Sequence, residues 1–310
     1  MKNCKAILPL LSAAVLLLAF FRALAPEFLS GSNLLDLAQQ ISVNAILAFG
    51  MTLVILSGGI DLSVGALLAL GGTAAAAVLP AGGFFAALAA GIGVGALFGL
   101  GNGLVAARTR IPPFIVTLAT MLVARGCALR FNEGRPMGIA LTQETFLALG
   151  NSRCAGVPLP AIFMVALFAL GSGLLHRTRY GQHLYAMGGS REAARFTGIG
   201  VARVEVIAYV LCGALAGVAG LIQTAQLYSA EPASGQGFEL NAIAAAAVGG
   251  ASFKGGRGTM LGTLLGAIII GILDKGLNQA GVHFSFQYMV KGAVILAAVG
   301  SDVWRRTETR

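Results

Sequence analysis

The residue in this chain with the sharpest chemical consequence is Asp61, set in the stretch SGGIDLSVG (57–65) between the apolar runs Ile46–Leu56 and Ala66–Leu70. Within a bilayer a carboxylate costs at least about 2.5–3.5 kcal/mol, so it must meet water, a partner or a cavity. Two placements follow. At a membrane rim, Asp61 is solvated and caps a helix beginning at Leu62. Deeper, Gly58 and Gly59 permit unwound backbone, which is tolerated only where it is buried in protein or lines a cavity, and broken helices of that kind form transporter substrate sites. Gly58, Gly59, Asp61 and Ser63, with the amides Asn44 and Asn102 on neighbouring apolar runs, are the candidates for a polar path or a hinge. Gln223 and Gln226 are further amides in an apolar run, and interhelical hydrogen bonding accounts for them equally well.

Other chemistry is poorly provided for. The cysteines Cys4, Cys127, Cys154 and Cys212 are scattered, without the spacing of a metal or redox site. His176, His183 and His283 have no metal spacing either, and no nucleophile–base constellation is visible. The glycine-rich GGASFKGGRG (249–258) lacks the GxxxxGK[ST] order of a phosphate loop, and no other stretch supplies it. The expectation is a turn between two spans, with no metal and no cofactor on this chain.

The elements that position these residues follow from composition. Charged residues are 11% of the chain and apolar residues 57%, with mean hydropathy +0.84. A soluble domain carries about 25% charged residues, so this is an integral membrane protein. The formal charge of +9 is therefore read for sidedness rather than for nucleic-acid binding. The N-terminal MKNCK and the run Ala6–Phe21, followed by Ala23-Leu24-Ala25, have signal-peptide features, but the apolar remainder favours an uncleaved first span.

Apolar windows predict about ten transmembrane helices, near 6–24, 40–57, 64–80, 83–106, 112–130, 157–175, 204–226, 239–251, 259–276 and 283–300. The eighth is short for a crossing. With both termini inside, fourteen of the 21 Lys and Arg residues fall on the inner side, which supports N-in, C-in. The fold class is all-α and polytopic, a single transmembrane domain over 1–310. Glycines at 91, 95, 99 and 103, and at 258, 262 and 266, mark helix faces where another backbone approaches closely. They serve either tight intramolecular packing or a subunit interface.

The inner segment 176–203 is too polar for hydrocarbon and carries SREAARFTG. Ser190 can N-cap a short helix, Glu192 suits its first turn, and Gly198 can end it. In form it is a cytoplasmic docking element. At the other side, Arg125, Arg130, Glu133 and Arg135 cluster near the end of the fifth span, with Glu231 and Glu239 beyond the seventh, as a solvated rim or a partner surface. Lys291 in the last span either snorkels or pairs with Asp274.

Together, GMTLVILSGGIDLSVG (50–65), GNGLVAARTRIPPFIVTLATM (101–121), GGSREAARFTGI (188–199) and FELNAIAAAAVGGASFKGGRGTMLGTLLGA (238–267) resemble the permease subunits of bacterial ABC sugar importers of the ribose type. The resemblance spans about residues 38–300. It implies a multi-pass protein of the bacterial inner membrane paired with a second permease copy or paralogue. Two cytoplasmic P-loop ATPase subunits would bring ATP and Mg, and a periplasmic sugar-binding protein would deliver a pentose, a hexose or a sugar-like signal. On these residues the coupling helix is Ser190–Gly198, including Arg191, and Glu192, Ala193, Ala194 and Gly198 match the EAA and glycine of the importer motif. The motif's Ile-x-Leu-Pro ending is absent, since Ala208-Tyr209-Val210 follows Ile207. Relatives in the wider superfamily carry branched-chain amino acids or nucleosides. A stand-alone secondary transporter or channel using Asp61 for ion coupling is the competing class, and a membrane-embedded enzyme lacks a catalytic grouping.

Overall fold

The computed structural model describes residues 2–307, with side-chain detail from Ile7 to Ala297. It is a helical bundle whose only strands among these residues form two short two-stranded ribbons. Among the described residues seven helices are long and apolar enough to cross a membrane: α1 (Lys2–Leu24), α2 (Gly31–Leu56), α3 (Val64–Arg108), α4 (Pro113–Arg130), α6 (Leu159–Arg177), α9 (Val201–Gln226) and α11 (Met260–Gln279). Two shorter apolar helices are α10 (Phe238–Val248) and the start of α12 (Phe284–Thr307). The predicted spans 64–80 and 83–106 are one 45-residue helix interrupted at Gly83, whose φ of 72° a side chain would resist. Pro80 three residues earlier removes a helical N–H at the same place.

Helix α2 begins nine residues before the predicted 40–57, because its first turns are polar. Ser30 caps it by accepting from the Asn33 N–H at 3.4 Å, and Asn33 donates to the Phe28 carbonyl at 2.7 Å. From Ala45 to Leu56 every residue of α2 is buried, so this helix is the centre of the bundle. Helix α10, at 11 residues, rises only about 16 Å against a hydrocarbon core of about 30 Å.

The glycine faces are spent inside the chain. The second arm of α3 lies along α9, where a Cβ on Gly95 would strike the Gly213 carbonyl, and one on Gly99 or Gly103 would strike the backbone at Tyr209 or Val206. Gly262 and Gly266 likewise meet Gly249 and Ala245, closing α11 onto α10. Backbones at this distance gain dispersion contacts that lipid cannot replace.

Candidate functional site

The interruption between α2 and α3 is stabilised by its own polar residues. Gly58 turns the chain with φ 88°. Asp61 then folds back as an Asx turn, its Oδ1 accepting from the Ser63 N–H at 2.9 Å and from the Ser63 hydroxyl at 2.5 Å. The Asn102 amide donates to Ser63 Oγ at 3.1 Å, and Thr120 donates to Asn102 Oδ1 at 2.6 Å. Thr117 on α4 takes a bond from the Leu62 N–H and gives one to the Ile60 carbonyl, each at 3.1 Å. Helices α3 and α4 thus hold one unwound segment. Cys212 of α9 sits beside the carboxyl, whose Oδ2 has no hydrogen-bond partner, and the Tyr209 hydroxyl, packed against Gly59, is also unpaired.

Asp61 is 0% exposed, so the solvated-rim placement is wrong. The expected cap at Leu62 is displaced too: α3 starts at Val64, and the carboxylate serves the turn before it. The reason is tertiary. On one side the break is covered by the 249–258 loop, whose Gly256 N–H donates to the Leu56 carbonyl at 3.0 Å; on the other, Gly65 abuts Gly235 and Glu239. Arg125 fixes that second cover by donating to the Pro232 and Ser234 carbonyls at 2.7 and 2.6 Å, so within the chain it serves neither of the two readings from sequence, a solvated rim or a partner surface, but an internal contact.

The short capped helix folds as read. Helix α8 (Arg191–Phe196) is capped by Ser190, which accepts from the Ala193 N–H at 3.2 Å, and Gly198 follows it with φ 81°. Arg191 makes a bidentate ion pair with the buried Glu205 of α9, and Ala194 is buried beneath the helix. Glu192, Ala193 and Arg195 face outward, and so does Phe196, 91% exposed and not foreseen. A second helix went unrecognised, α7 (Arg179–Gly189), which buries Gly181, Leu184 and Met187. Its Tyr185, with its hydroxyl pushed up in pKa by burial, donates to the Gly258 carbonyl at 2.8 Å, and Gly188 lies against Leu56 and Gly256. The exposed α8 is therefore two contacts from the break.

Asn44 belongs elsewhere. It lines a cavity of about 330 Å³ between α2, α9, α10 and α11, together with Gln40, Gln223, Gln226, Asn241 and Asp274. Gln40 and Asn44 share a face of α2, as Gln223 and Gln226 share one of α9. Asn44 Oδ1, Gln223 Oε1 and Gln226 Nε2 are buried without hydrogen-bond partners. Asp274 does have one: Lys291 of α12 reaches it at 3.0 Å, the second of the two alternatives read from sequence. Gln40 also borders a polar recess formed with Asn33, Lys275, Asn278 and Gln279, so polar residues run from the start of α2 down to Asn44. Beyond Asn44 every residue of α2 from Ala45 to Leu56 is buried. The short helix α5 (Glu144–Asn151) braces these walls, with Asn151 donating to the Ala225 carbonyl at 2.6 Å and Gln39 to that of Gly150 at 2.9 Å.

The predicted residues thus fall into three places: Gly58, Gly59, Asp61, Ser63 and Asn102 in the break, Ser190–Gly198 on the projecting helix, and Asn44 in the cavity. Sequence reasoning missed Thr117 and Thr120, whose hydroxyls look like ordinary helix residues. It also missed Gln40 and Asn241, for which an amide on the same face as a known neighbour was the available signal.

A many-helix apolar bundle with a capped polar helix at one end and a polar cavity at the other is the architecture of a polytopic membrane protein. The chain belongs to the family described as branched-chain amino acid transport system / permease component, whose model matches residues 33–299. It is similar to the ribose import permease protein RbsC of Escherichia coli (strain K12), 45% identical over 295 residues, 94% of this chain and 92% of that one. The ribose import permease protein RbsC of Bacillus subtilis (strain 168) is 45% identical over 278 residues, 89% and 86% of the two chains. The D-allose transport system permease protein AlsC of E. coli (strain K12) is 38% identical over 291 residues, 93% and 88% of the two chains. No solved structure matches the chain.

Proposed function

We propose that this chain is the membrane-spanning permease subunit of an ATP-driven importer that passes a monosaccharide across the bacterial inner membrane. The observation that carries the reading is 45% identity over 94% of the chain to a ribose import permease. The chain hydrolyses nothing itself; a separate ATPase subunit binds ATP and Mg, a periplasmic protein delivers the sugar, and a second permease copy or paralogue completes the path. Counting α3 as two arms and including α10 and α12, ten segments enter the membrane with both termini inside. This places α7, α8 and the 249–258 loop on the cytoplasmic face and the polar recess on the other.

In this arrangement α8 docks on the ATPase through Glu192, Ala193, Arg195 and Phe196, while Ser190, Arg191, Ala194 and Gly198 fix its shape. Movement of α8 reaches the break through α7, because Gly188 packs on Leu56. Gly58, Gly59, Asp61, Ser63 and Asn102 then act as a hinge held by protein contacts, and Asn44 lies on the sugar's path. Enclosure of Asp61 among protein groups disfavours the ion-coupled alternative, which needs a carboxylate open to its ion.

The test is uptake into liposomes holding the chain with its ATPase and binding protein. Sugar accumulation should require ATP and all three components. Accumulation by the chain alone under a sodium or proton gradient overturns the reading. Glu192→Lys should abolish stimulation of the ATPase by the binding protein without changing the melting temperature, and stimulation left intact removes the docking role. The family's description favours a second reading, a branched-chain amino acid as cargo. Uptake of labelled leucine, with no uptake of ribose, allose, xylose or arabinose, would establish it instead.

A further inference from the structure

We infer that the cavity between α2, α9, α10 and α11 is a binding site, within this one chain, for a neutral polyhydroxylated small molecule. The inference deepens the importer reading and rests on it. Its basis is the state of the polar atoms. Nearly all buried polar groups in proteins are hydrogen-bonded, yet Asn44 Oδ1, Gln223 Oε1 and Gln226 Nε2 are buried and unpaired, and all three residues line the same space of about 330 Å³. Loose packing scatters such atoms; these converge from two helices.

The chemical class follows from what the wall offers. Side-chain amides present both donors and acceptors, and a hydroxyl both donates and accepts, so a polyol can satisfy every orphan. A carboxylate or phosphate group only accepts and leaves the acceptors Asn44 Oδ1 and Gln223 Oε1 unmet. An ammonium only donates and leaves the amide N–H groups unmet. Asp274 is neutralised by Lys291, so the pair offers the cavity no net charge. Phe238 and Ile41 add an apolar surface for the C–H face of a sugar ring.

The test is saturation-transfer NMR on the purified full chain in nanodiscs. The neutral probes are D-ribose, D-allose, D-xylose and L-arabinose; the anionic probes are D-glucuronate and D-ribose 5-phosphate. At least one neutral probe should give a saturable signal and neither anion should. Asn44→Leu with Gln223→Met should weaken that binding about tenfold or more while the melting temperature holds or rises, because apolar groups of similar shape replace polar groups that were never paired. If that variant does not fold, Asn241→Phe fills the space from a half-buried position and should block binding. No saturable neutral probe, equal binding of the anions, or binding that survives either folded variant overturns the site. ATP-dependent uptake by the complete importer reads the parent proposal separately: uptake without a binding signal rejects the cavity alone, and gradient-driven uptake by the isolated chain rejects the importer.

Discussion

The break at 57–63 and the cavity around Asn44 place similar polar residues among apolar helices, but they use them in opposite ways. In the break, most side-chain groups are bonded to neighbouring backbone and to one another: Asp61 to Ser63, Ser63 to Asn102, Asn102 to Thr120, and Thr117 to both Ile60 and Leu62. Asp61 Oδ2 and the Tyr209 hydroxyl are left over but face no common space with the cavity amides. In the cavity, amides on α2 and α9 face a shared space and leave three buried atoms without partners. A network of the first kind specifies a backbone conformation. A set of the second kind raises the energy of the empty protein and is offset only when a ligand arrives. Polar residues in an apolar run therefore carry two meanings, separated by where their hydrogen bonds end.

The contrast breaks most readily at Ser63. Ser63→Ala removes the hydroxyl that joins Asp61 to Asn102 and leaves the carboxylate buried with one donor fewer, a loss of about 3 kcal/mol. A large fall in melting temperature of the purified chain is expected. An unchanged melting temperature would mean that the break is not held by its own bonds. Arg125→Met comes next, at about 2 kcal/mol, because two carbonyls lose a charged donor. Its effect should be local, with faster hydrogen exchange across 229–237 and little change in α8. Exchange that rises equally in both places would deny Arg125 its part in fixing the cover over Gly65.

How far these features were legible follows from the range of the interactions. Helix α8 was readable because its signals are local: the cap Ser190, the first-turn Glu192 and the closing Gly198 lie within nine positions. The break was readable as a break, from two glycines and an aspartate. Its burial was not, because Ser63's partner Asn102 is 39 residues away and the covering loops come from 232–239 and 249–258. Helix α7 escaped notice because its 11 residues lie inside the polar segment 176–203 and were read as part of that loop, and the surfaces it packs on, at Leu175, Val204, Gly256 and Leu56, come from elsewhere in the chain. The glycine ladders announced close approach, while their partners on α9 and α10 are tertiary information. The amides Asn44, Gln223 and Gln226 stood out singly, but nothing along the chain says that they share a space. Gln40 and the first turns of α2 were lost for a related reason: an apolar window begins where polarity stops, and this helix begins earlier.

The smallest effect concerns the charge pair in the cavity wall, and it sharpens the comparison because the pair is the part of that wall that is already satisfied. Lys291 meets Asp274 at 3.0 Å with each side chain one-fifth exposed, between the surface and buried limits for ion pairs. Lys291→Met should cost about 1 kcal/mol, since Asp274 then borders the cavity without its cation. Asp274→Asn should cost less: the ammonium keeps the face of Tyr288, 5.8 Å away, and a long stem with which to reach water. The double variant should recover most of the loss, giving a coupling of about 1 kcal/mol in a thermal-shift double-mutant cycle. Additive losses would mean that the pair does not hold α12 to the bundle. With Lys291→Met alone, the uncompensated carboxylate should also admit a cationic thiol reagent to Asn241→Cys faster than an anionic one. The parent pair should show little such preference, because a neutral wall favours neither sign.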